Sequence, residues 1–399
     1  MSDRIVLTVV ADSTLGGVSR SALTMARLWI GAGYASAMFL PRRLAPDRVP
    51  DPRVGLYSHF SDVPWDHVAL VHLHHMNFHP PERRDVRALM DHLRKAGLRV
   101  PLMTKNVFGS LDGVLNAWPG PRATTVLGRW VAMQYTYSSY GRRHPRPFVL
   151  PNAQNTTFFR PPTRGERLQA REALGLGTTP VILRVGSPRR NKWSLSGYAA
   201  LASAAEQAGL RLVLVSPPDE VRALVAKNPA VTLVDGVGDD LQLRRYYWAA
   251  DAFALYAERG ESFGNVLTEA ILCGCPAVYR DRPLRDNSPR LFPPFAGLRI
   301  APNDPAWIEA TIALACDPAA RAAAATAHST IDAWCGPPAC QALLGDLARR
   351  LTSTAPTERF VHAPGSMLSP AWAERLAVMV RHNPAAAGVK QINNSLHAP

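Results

Sequence analysis

Glu261-Ser262-Phe263-Gly264-Asn265-Val266-Leu267-Thr268-Glu269 follows the apolar run 252–256 and leads through Ala270 to the turn Cys273-Gly274-Cys275-Pro276. A strand-length run, a glycine turn and a helix-forming stretch in that order make a βα unit. Free N–H groups at a helix N-terminus, with the helix dipole behind them, favour an anion. Gly264 lets a phosphate come close to the backbone. Ser262, Phe263, Gly264 and Asn265 are therefore candidate contacts for a phosphate-bearing ligand. Glu269, about one turn inside the helix, can reach past the phosphates to a pair of ribose hydroxyls. Glu261, ahead of the helix, faces the other end of the ligand, where a sugar would lie.

The same alternation extends in both directions. On either side lie strand candidates 181–185, 210–215, 231–234 and 276–279, with helical segments between them. The first 150 residues repeat the pattern with strands at 5–10, 35–40, 68–73, 98–103 and 148–150. Gly16-Gly17 turns the chain after the first of these. Val18, Ala22, Met25, Ala26 and Trp29 then recur at helical spacing, Gly31 and Gly33 stop that helix, and 83–95 reads as another. Strands separated by helices of this length imply parallel sheets with right-handed crossovers. The fold class is α/β: two Rossmann-like domains with parallel sheets facing a central cleft, joined near 151–162. Residues 1–155 form the first domain and 156–351 the second. Residues 352–399 form a linker, a candidate crossover helix at 369–381 (Ser369 as N-cap, Pro370 at N1) and a flexible tail. Ligands in such sheets bind at the carboxyl ends of strands, which makes the cleft the default site.

Composition narrows the function classes. The chain has 399 residues, 47% of them hydrophobic, and a formal net charge of +14. Residues 1–150 hold 19 Lys and Arg against 10 Asp and Glu, a net +9. A basic surface attracts phosphates on lipids, on nucleic acid or on a soluble acidic substrate; scattered arginines that only solvate the surface explain it equally well. The five cysteines match no zinc ribbon or redox pair, so reduced structural thiols are expected. The run 5–10 is too short for a signal peptide, and no stretch approaches a membrane span. A cytoplasmic protein is expected, with at most peripheral contact at the inner face of the membrane.

Four further stretches carry polar chemistry. Arg184-Val185-Gly186-Ser187-Pro188-Arg189-Arg190-Asn191-Lys192-Trp193 follows the first strand of the second domain, where cations neutralise a diphosphate and stabilise a leaving phosphate. His72, His74, His75 and His79 cluster at a strand end of the first domain. No acidic or cysteine partner adjoins them, so zinc is not expected. Thr104-Lys105-Asn106 ends another strand. Arg285-Asp286-Asn287 lies in a strand-end loop, from which Arg285 and Asn287 reach a donor or an acceptor, or simply form a surface turn.

The 261–269 segment resembles the Glu-x7-Glu motif of the retaining glycosyltransferases of family 4, which have the GT-B fold. Other pieces agree in order and spacing across roughly residues 5 to 350. Leu150-Pro151-Asn152 with Phe158-Phe159 resembles the family's interdomain stretch, Asp251-Ala252-Phe253 its strand entry, and Gly16-Gly17 its N-terminal glycine loop. The resemblance implies transfer of a sugar from a nucleoside diphosphate-sugar to an acceptor hydroxyl, with retention of configuration. Glu261, Lys192 and Asn106 are then the catalytic candidates. Gly16, Gly17, Arg184, Ser187, Arg189, Arg190, Lys192, Ser262, Phe263, Gly264, Asn265 and Glu269 are candidates for holding the donor. His72, His74, His75, Arg285 and Asn287 are candidates for the acceptor, with a purely structural role equally open to the histidines. Two positions depart from the family: Ser187 stands where it shows arginine, and Asn106 where it carries a histidine that contacts the transferred sugar. Arg184, Arg189 or Arg190 are alternatives for the missing charge. Asn106 still hydrogen-bonds a hydroxyl but carries no titratable proton. No metal and no separate cofactor are expected, since cations and a helix dipole serve the diphosphate and no Asp-x-Asp pair is present. A UDP-sugar ranks above a GDP-sugar as co-substrate. The basic first domain points to a phosphate-bearing lipid or other acidic acceptor, with nucleic acid ranked below. Alternatives on the same fold are a sugar-nucleotide epimerase, a pseudo-glycosyltransferase, a transferase acting on nucleic acid, and a catalytically silent sugar-nucleotide binding protein.

Overall fold

A computed structural model describes residues 4–10, 17–40, 51–74, 80–107, 118–128, 131, 132, 135, 147–281 and 297–353. They fall into two compact units: the described parts of Met1–Ala153 and Pro337–Pro399, and Gln154–Gly336.

In the first unit β1 (Ile5–Val10), β2 (Ala35–Phe39), β3 (Val54–Tyr57), β4 (Val68–His74), β5 (Leu102–Asn106), β6 (Arg122–Val126) and β7 (Phe148–Val149) form one sheet. Its order is β3-β2-β1-β4-β5-β6-β7, and all neighbours run parallel. Helices α1 (Gly17–Gly31) and α2 (Pro80–Lys95) cross between strands. Leu7, Val9, Val71, Leu73 and Leu102 pack with Leu89, Met90 and Leu93 of α2 on one face. Val6, Leu70, Met103 and Ala123 pack with Met25, Leu28 and Trp29 of α1 on the other. A parallel sheet covered on both faces needs such apolar strands. The strand expected from residue 98 starts at Leu102, because Pro101 has no N–H for the ladder. Strands β3 and β6 were not expected: β3 is a four-residue edge strand containing a glycine, and β6 reads Arg-Ala-Thr-Thr-Val, with both threonines buried.

In the second unit β8 (Val181–Val185), β9 (Arg211–Val215), β10 (Val231–Val234), β11 (Ala252–Leu255), β12 (Ala277–Arg280) and β13 (Leu298–Ala301) form a sheet of order β10-β9-β8-β11-β12-β13, again parallel throughout. The helices are α3 (Arg164–Ala173), α4 (Leu195–Gln207), α5 (Asp219–Val225), α6 (Asp240–Ala249), α7 (Asn265–Leu272), α8 (Asp304–Cys316), α9 (Pro318–Ala325) and α10 (Ala327–Cys335). Their starts follow local chemistry. Thr163 and Glu166 form a capping box on α3, while Ser194, Asp239 and Asn303 cap α4, α6 and α8. The strands expected here are present to within a residue at most ends; β13, a short strand at the sheet edge, is additional.

The last described helix, α11 (Pro337–Thr352), corrects the expected boundary at 351. It belongs to the first unit, where Cys340, Leu344, Leu347, Ala348 and Leu351 are buried with Met25, Leu28 and Trp29 of α1. An apolar helix face is placed by the surface that buries it, not by its position in the chain. The outgoing passage between units is shorter than 151–162. Ser21 Oγ donates to Asn152 Oδ1 at 2.9 Å in the first unit. By Gln154 the chain is tied into the second unit, its N–H bonding Cys335 O at 2.9 Å.

Asp251 organises the second sheet. Arg167 donates to Asp251 Oδ1 (2.6 Å) and to the carbonyls of Trp248 (2.9 Å) and Ala250 (3.0 Å). Arg171 donates to Asp251 Oδ2 (3.1 Å) and Ala249 O (2.8 Å). Arg321 bonds Ala250 O and Cys273 O. Three guanidinium groups thus satisfy the carbonyls that end α6, where cations are favoured. Asp251 Oδ2 also accepts from Val181 N–H at 2.8 Å, fixing the start of β8. Asp251→Ala leaves Arg167, Arg171 and the Val181 amide short of a partner. It should lower stability by about 3–5 kcal/mol, read as a lower urea midpoint at unchanged slope. A loss below about 1 kcal/mol would show that the helix carbonyls alone hold the arginines.

Candidate functional site

The order of the second sheet reverses between β8 and β11, which are adjacent although β9 and β10 lie between them in sequence. Crevices at such reversals, beyond the carboxyl ends of the strands, are where open α/β sheets bind ligands. The loop after β8 carries Lys192 and the loop after β11 carries Glu261. Lys192 Nζ stands 2.7 Å from Glu261 Oε2. Beside this pair Arg190 meets Glu258 at 3.3 Å. Ser187 and Arg189 are exposed on the same loop.

The floor of that loop is built on Arg184, which is fully buried. Its Nη1 donates to Val185 O and its Nη2 to Lys192 O, both at 2.7 Å, and its guanidinium lies 4.8 Å from the Trp193 ring centroid. Arg184 was expected among groups touching the donor. The structure instead places it inside the sheet with both terminal nitrogens on backbone carbonyls. Trp193 Nε1 donates to Ser187 O at 2.8 Å and closes the loop from the other side. A Cβ on Gly186 would come 3.1 Å from Trp193 Cζ2 and 3.2 Å from Arg184 Nη2, so the close approach favours glycine.

The loop after β11 ends on Gly264, whose φ of 73° lies in the left-handed region and caps α7 without a side-chain bond. The α7 N-terminus therefore starts at bare backbone, the arrangement that suits an anion. Phe263 is buried and stacks on Trp334 at 5.8 Å, and Gln154 Nε2 donates to Asn265 Oδ1 at 3.4 Å. Ser262 is half-buried. Glu269 is buried, and its Oε2 accepts from the Tyr247 hydroxyl at 2.9 Å. Tyr247 is enclosed by Phe159 and Phe253, with ring centroids at 6.2 and 6.0 Å. Burial and then the Glu269 charge push its hydroxyl well above the usual tyrosine range, so it stays a donor. Sequence reasoning missed Tyr247 and Trp334, which lie outside the motifs in runs that read as ordinary core, and gave no role to Trp193 at the end of the 184–193 stretch.

In the first unit the sheet reverses between β1 and β4. His72 and His74 are on β4, but they are buried, at 0% and 1% exposure, which corrects the expectation that they face an acceptor. His72 Nδ1 accepts from Trp29 Nε1 at 3.2 Å, and burial followed by the neighbouring Lys105 charge pushes its pKa down to about 3. It is a neutral core histidine. Lys105, to which the sequence assigned no role, is buried beside it and donates to Pro151 O at 3.3 Å. Asn106, half-buried, ends β5, and Gly17 opens α1. Gly16, His75, His79, Arg285 and Asn287 lie outside the described residues. Among the described residues no group of His, Cys, Asp and Glu is placed to hold a metal ion, and no helix is long and apolar enough to cross a membrane. None of the five cysteines is in a disulfide.

Burial pushes the Lys105 pKa from 10.5 down to about 7. The unfolded chain then holds the extra proton between roughly pH 7 and 10.5, so the penalty is full below pH 7 and fades as pH rises through that window. Lys105→Met should stabilise the protein by about 1–4 kcal/mol near pH 7, with the gain mostly gone by pH 10. Thermal melts across that range test it; a variant less stable at pH 7 would show that the bond to Pro151 outweighs the buried charge.

Residues 179–317 match the family model described as glycosyl transferases group 1. A D-inositol 3-phosphate glycosyltransferase from Acidothermus cellulolyticus is 28% identical over 259 residues, 59% of this chain and 54% of that protein. The chain thus spans about half the length of that curated relative. Among solved structures, a glycosyltransferase from Rickettsia africae superposes with a TM-score of 0.69 at 14% identity, over 88% of this chain and 99% of that one. Anabaena HepE, solved in complex with UDP and glucose, gives 0.67 at 13% identity, over 86% and 99%. By fold the chain is GT-B, and within its second unit residues 179–317 are similar to the glycosyl transferases group 1.

Proposed function

We propose that the protein is a glycosyltransferase that moves a sugar from a nucleoside diphosphate-sugar to an acceptor hydroxyl with retention of configuration. The observation that carries this reading is the convergence, at the reversal of the second sheet, of Lys192 paired to Glu261 with the uncapped α7 N-terminus and the buried Glu269. The α7 amides and Gly264 receive the diphosphate. Glu269, held on one oxygen by Tyr247, takes the ribose hydroxyls. When the diphosphate draws Lys192, Glu261 turns to the hydroxyls of the transferred sugar and orients it. The bond from the anomeric carbon to the diphosphate breaks, the acceptor oxygen bonds that carbon on the same face, and the acceptor proton passes to the departing phosphate. Lys192, the helix dipole and the neighbouring arginines stabilise the charge that builds there. Asn106 is assigned to a sugar hydroxyl. The HepE complex with UDP supports a UDP-sugar ahead of a GDP-sugar.

Glu269→Ala should weaken UDP binding by about 1–3 kcal/mol, whereas Glu261→Ala should leave UDP affinity nearly intact and sharply reduce transfer. Calorimetry together with turnover of labelled donor reads both. A folded wild-type protein that binds neither UDP, GDP nor ADP would overturn the proposal.

The acceptor is assigned as acidic, on the strength of the net +9 of residues 1–150. The relative named for D-inositol 3-phosphate is consistent with it. Co-sedimentation with anionic and neutral vesicles, beside retention on DNA and RNA, separates the forms. A phosphate-bearing lipid acceptor gives binding to anionic vesicles alone, weakening as salt rises above about 0.15 M. Failure to bind either at low salt leaves a small soluble acceptor and removes the lipid.

A further inference from the structure

Arg184 is the one feature of the β8 loop that packing alone accounts for poorly. Arginine keeps its charge inside proteins, and burying a cation without a counter-charge is costly. Lys192 has Glu261 and Arg190 has Glu258, but Arg184, at 0% exposure, has no carboxylate within salt-bridge distance among the described residues. Its Nε also lacks a hydrogen-bond partner there. A methionine or leucine would fill an interior strand position of a parallel sheet at lower cost. The charge sits next to Gly186, under the loop that ends in Lys192, and its Nη2 holds the Lys192 carbonyl. Three residues further on, Ser187 occupies the position where the resembling family places an arginine on the loop itself.

Resting on the nucleotide-sugar reading above, we propose that Arg184 supplies from inside the sheet the positive field that Ser187 does not supply from the loop, and so sets the preference of the site for two phosphates over one. No contact with the ligand is required. A charge in a low-dielectric interior acts over several ångströms with little screening by salt, and it is preorganised, because the two carbonyls and Trp193 fix its place. Arg184 is thus a specificity-determining residue that acts through space, while its hydrogen bonds position Lys192.

The test separates charge from scaffolding by counting phosphates. Uridine, UMP and UDP are titrated calorimetrically against the wild type, Arg184→Gln and Arg184→Lys. Glutamine keeps a donor for the Lys192 carbonyl without charge, and lysine keeps the charge without the fork. The expected result is that Arg184→Gln lowers the ratio of UDP to UMP affinity at least fivefold with uridine affinity unchanged, whereas Arg184→Lys retains most of the ratio. If Gln weakens all three ligands equally, or leaves the ratio in place, Arg184 is only a strut and the proposal falls. Should Arg184→Gln not fold, Arg184→Lys alone decides: a preserved ratio supports the field and a collapsed one refutes it. A wild type that binds UDP no better than uridine removes the diphosphate site itself, which is the failure of the broader reading and is seen before any variant is made.

Discussion

Strand β11 pairs with β8 over two register positions, Ala252 with Ile182 and Phe253 with Leu183, and Asp251 lengthens that seam. Its N–H bonds Val181 O at 2.8 Å while its carboxylate takes the Val181 N–H at the same distance. The two strands are far apart in sequence, and this closure brings their loops together. The ion pairs of the candidate site depend on it. Without β8 beside β11, Lys192 has no Glu261 to meet, and the Arg184 guanidinium does not lie under the crevice. The arginines around Asp251 show why the seam is firm: each bonds the carboxylate, helix-end carbonyls or both, so charge and backbone satisfaction are solved by the same groups.

Buried polar groups on the two sheets serve different ends. In the first unit Lys105 and neutral His72 lie in the core beneath α1 and α11, and Lys105 reaches the Pro151 carbonyl just before the chain leaves that unit. In the second, Tyr247 is wrapped in aromatic rings and spends its hydroxyl on Glu269. Phe159 belongs to the segment that enters this unit, so the entering chain, Tyr247 and Glu269 form one packed line. A carboxylate held on one oxygen inside such a line loses little freedom on binding, which is how a buried shell preorganises a site residue. Trp334 and Gln154 do the same for Phe263 and Asn265, from the end and the beginning of the second unit's chain.

The amino-acid sequence by itself determined the class of fold, because apolar runs of strand length separated by helix-length segments leave few arrangements other than parallel sheets. It also determined where helix α7 begins, since Gly264 and the residues around it are local signals. The ends of β5 and the existence of β3, β6 and β13 were not legible: edge strands and threonine-rich strands carry no continuous apolar run. Only the tertiary structure decided which charges are available. Arg184 and Arg189 look alike in the sequence, and so do His72 and an exposed histidine, yet packing put Arg184 and His72 in the interior and left Arg189 in solvent. It also decided that α11 completes the first unit and that Tyr247 holds Glu269. The reason is the range of the interactions: capping, turns and periodicity act within a few residues, whereas burial and ion pairing are set by strands that are neighbours only after the sheet has closed.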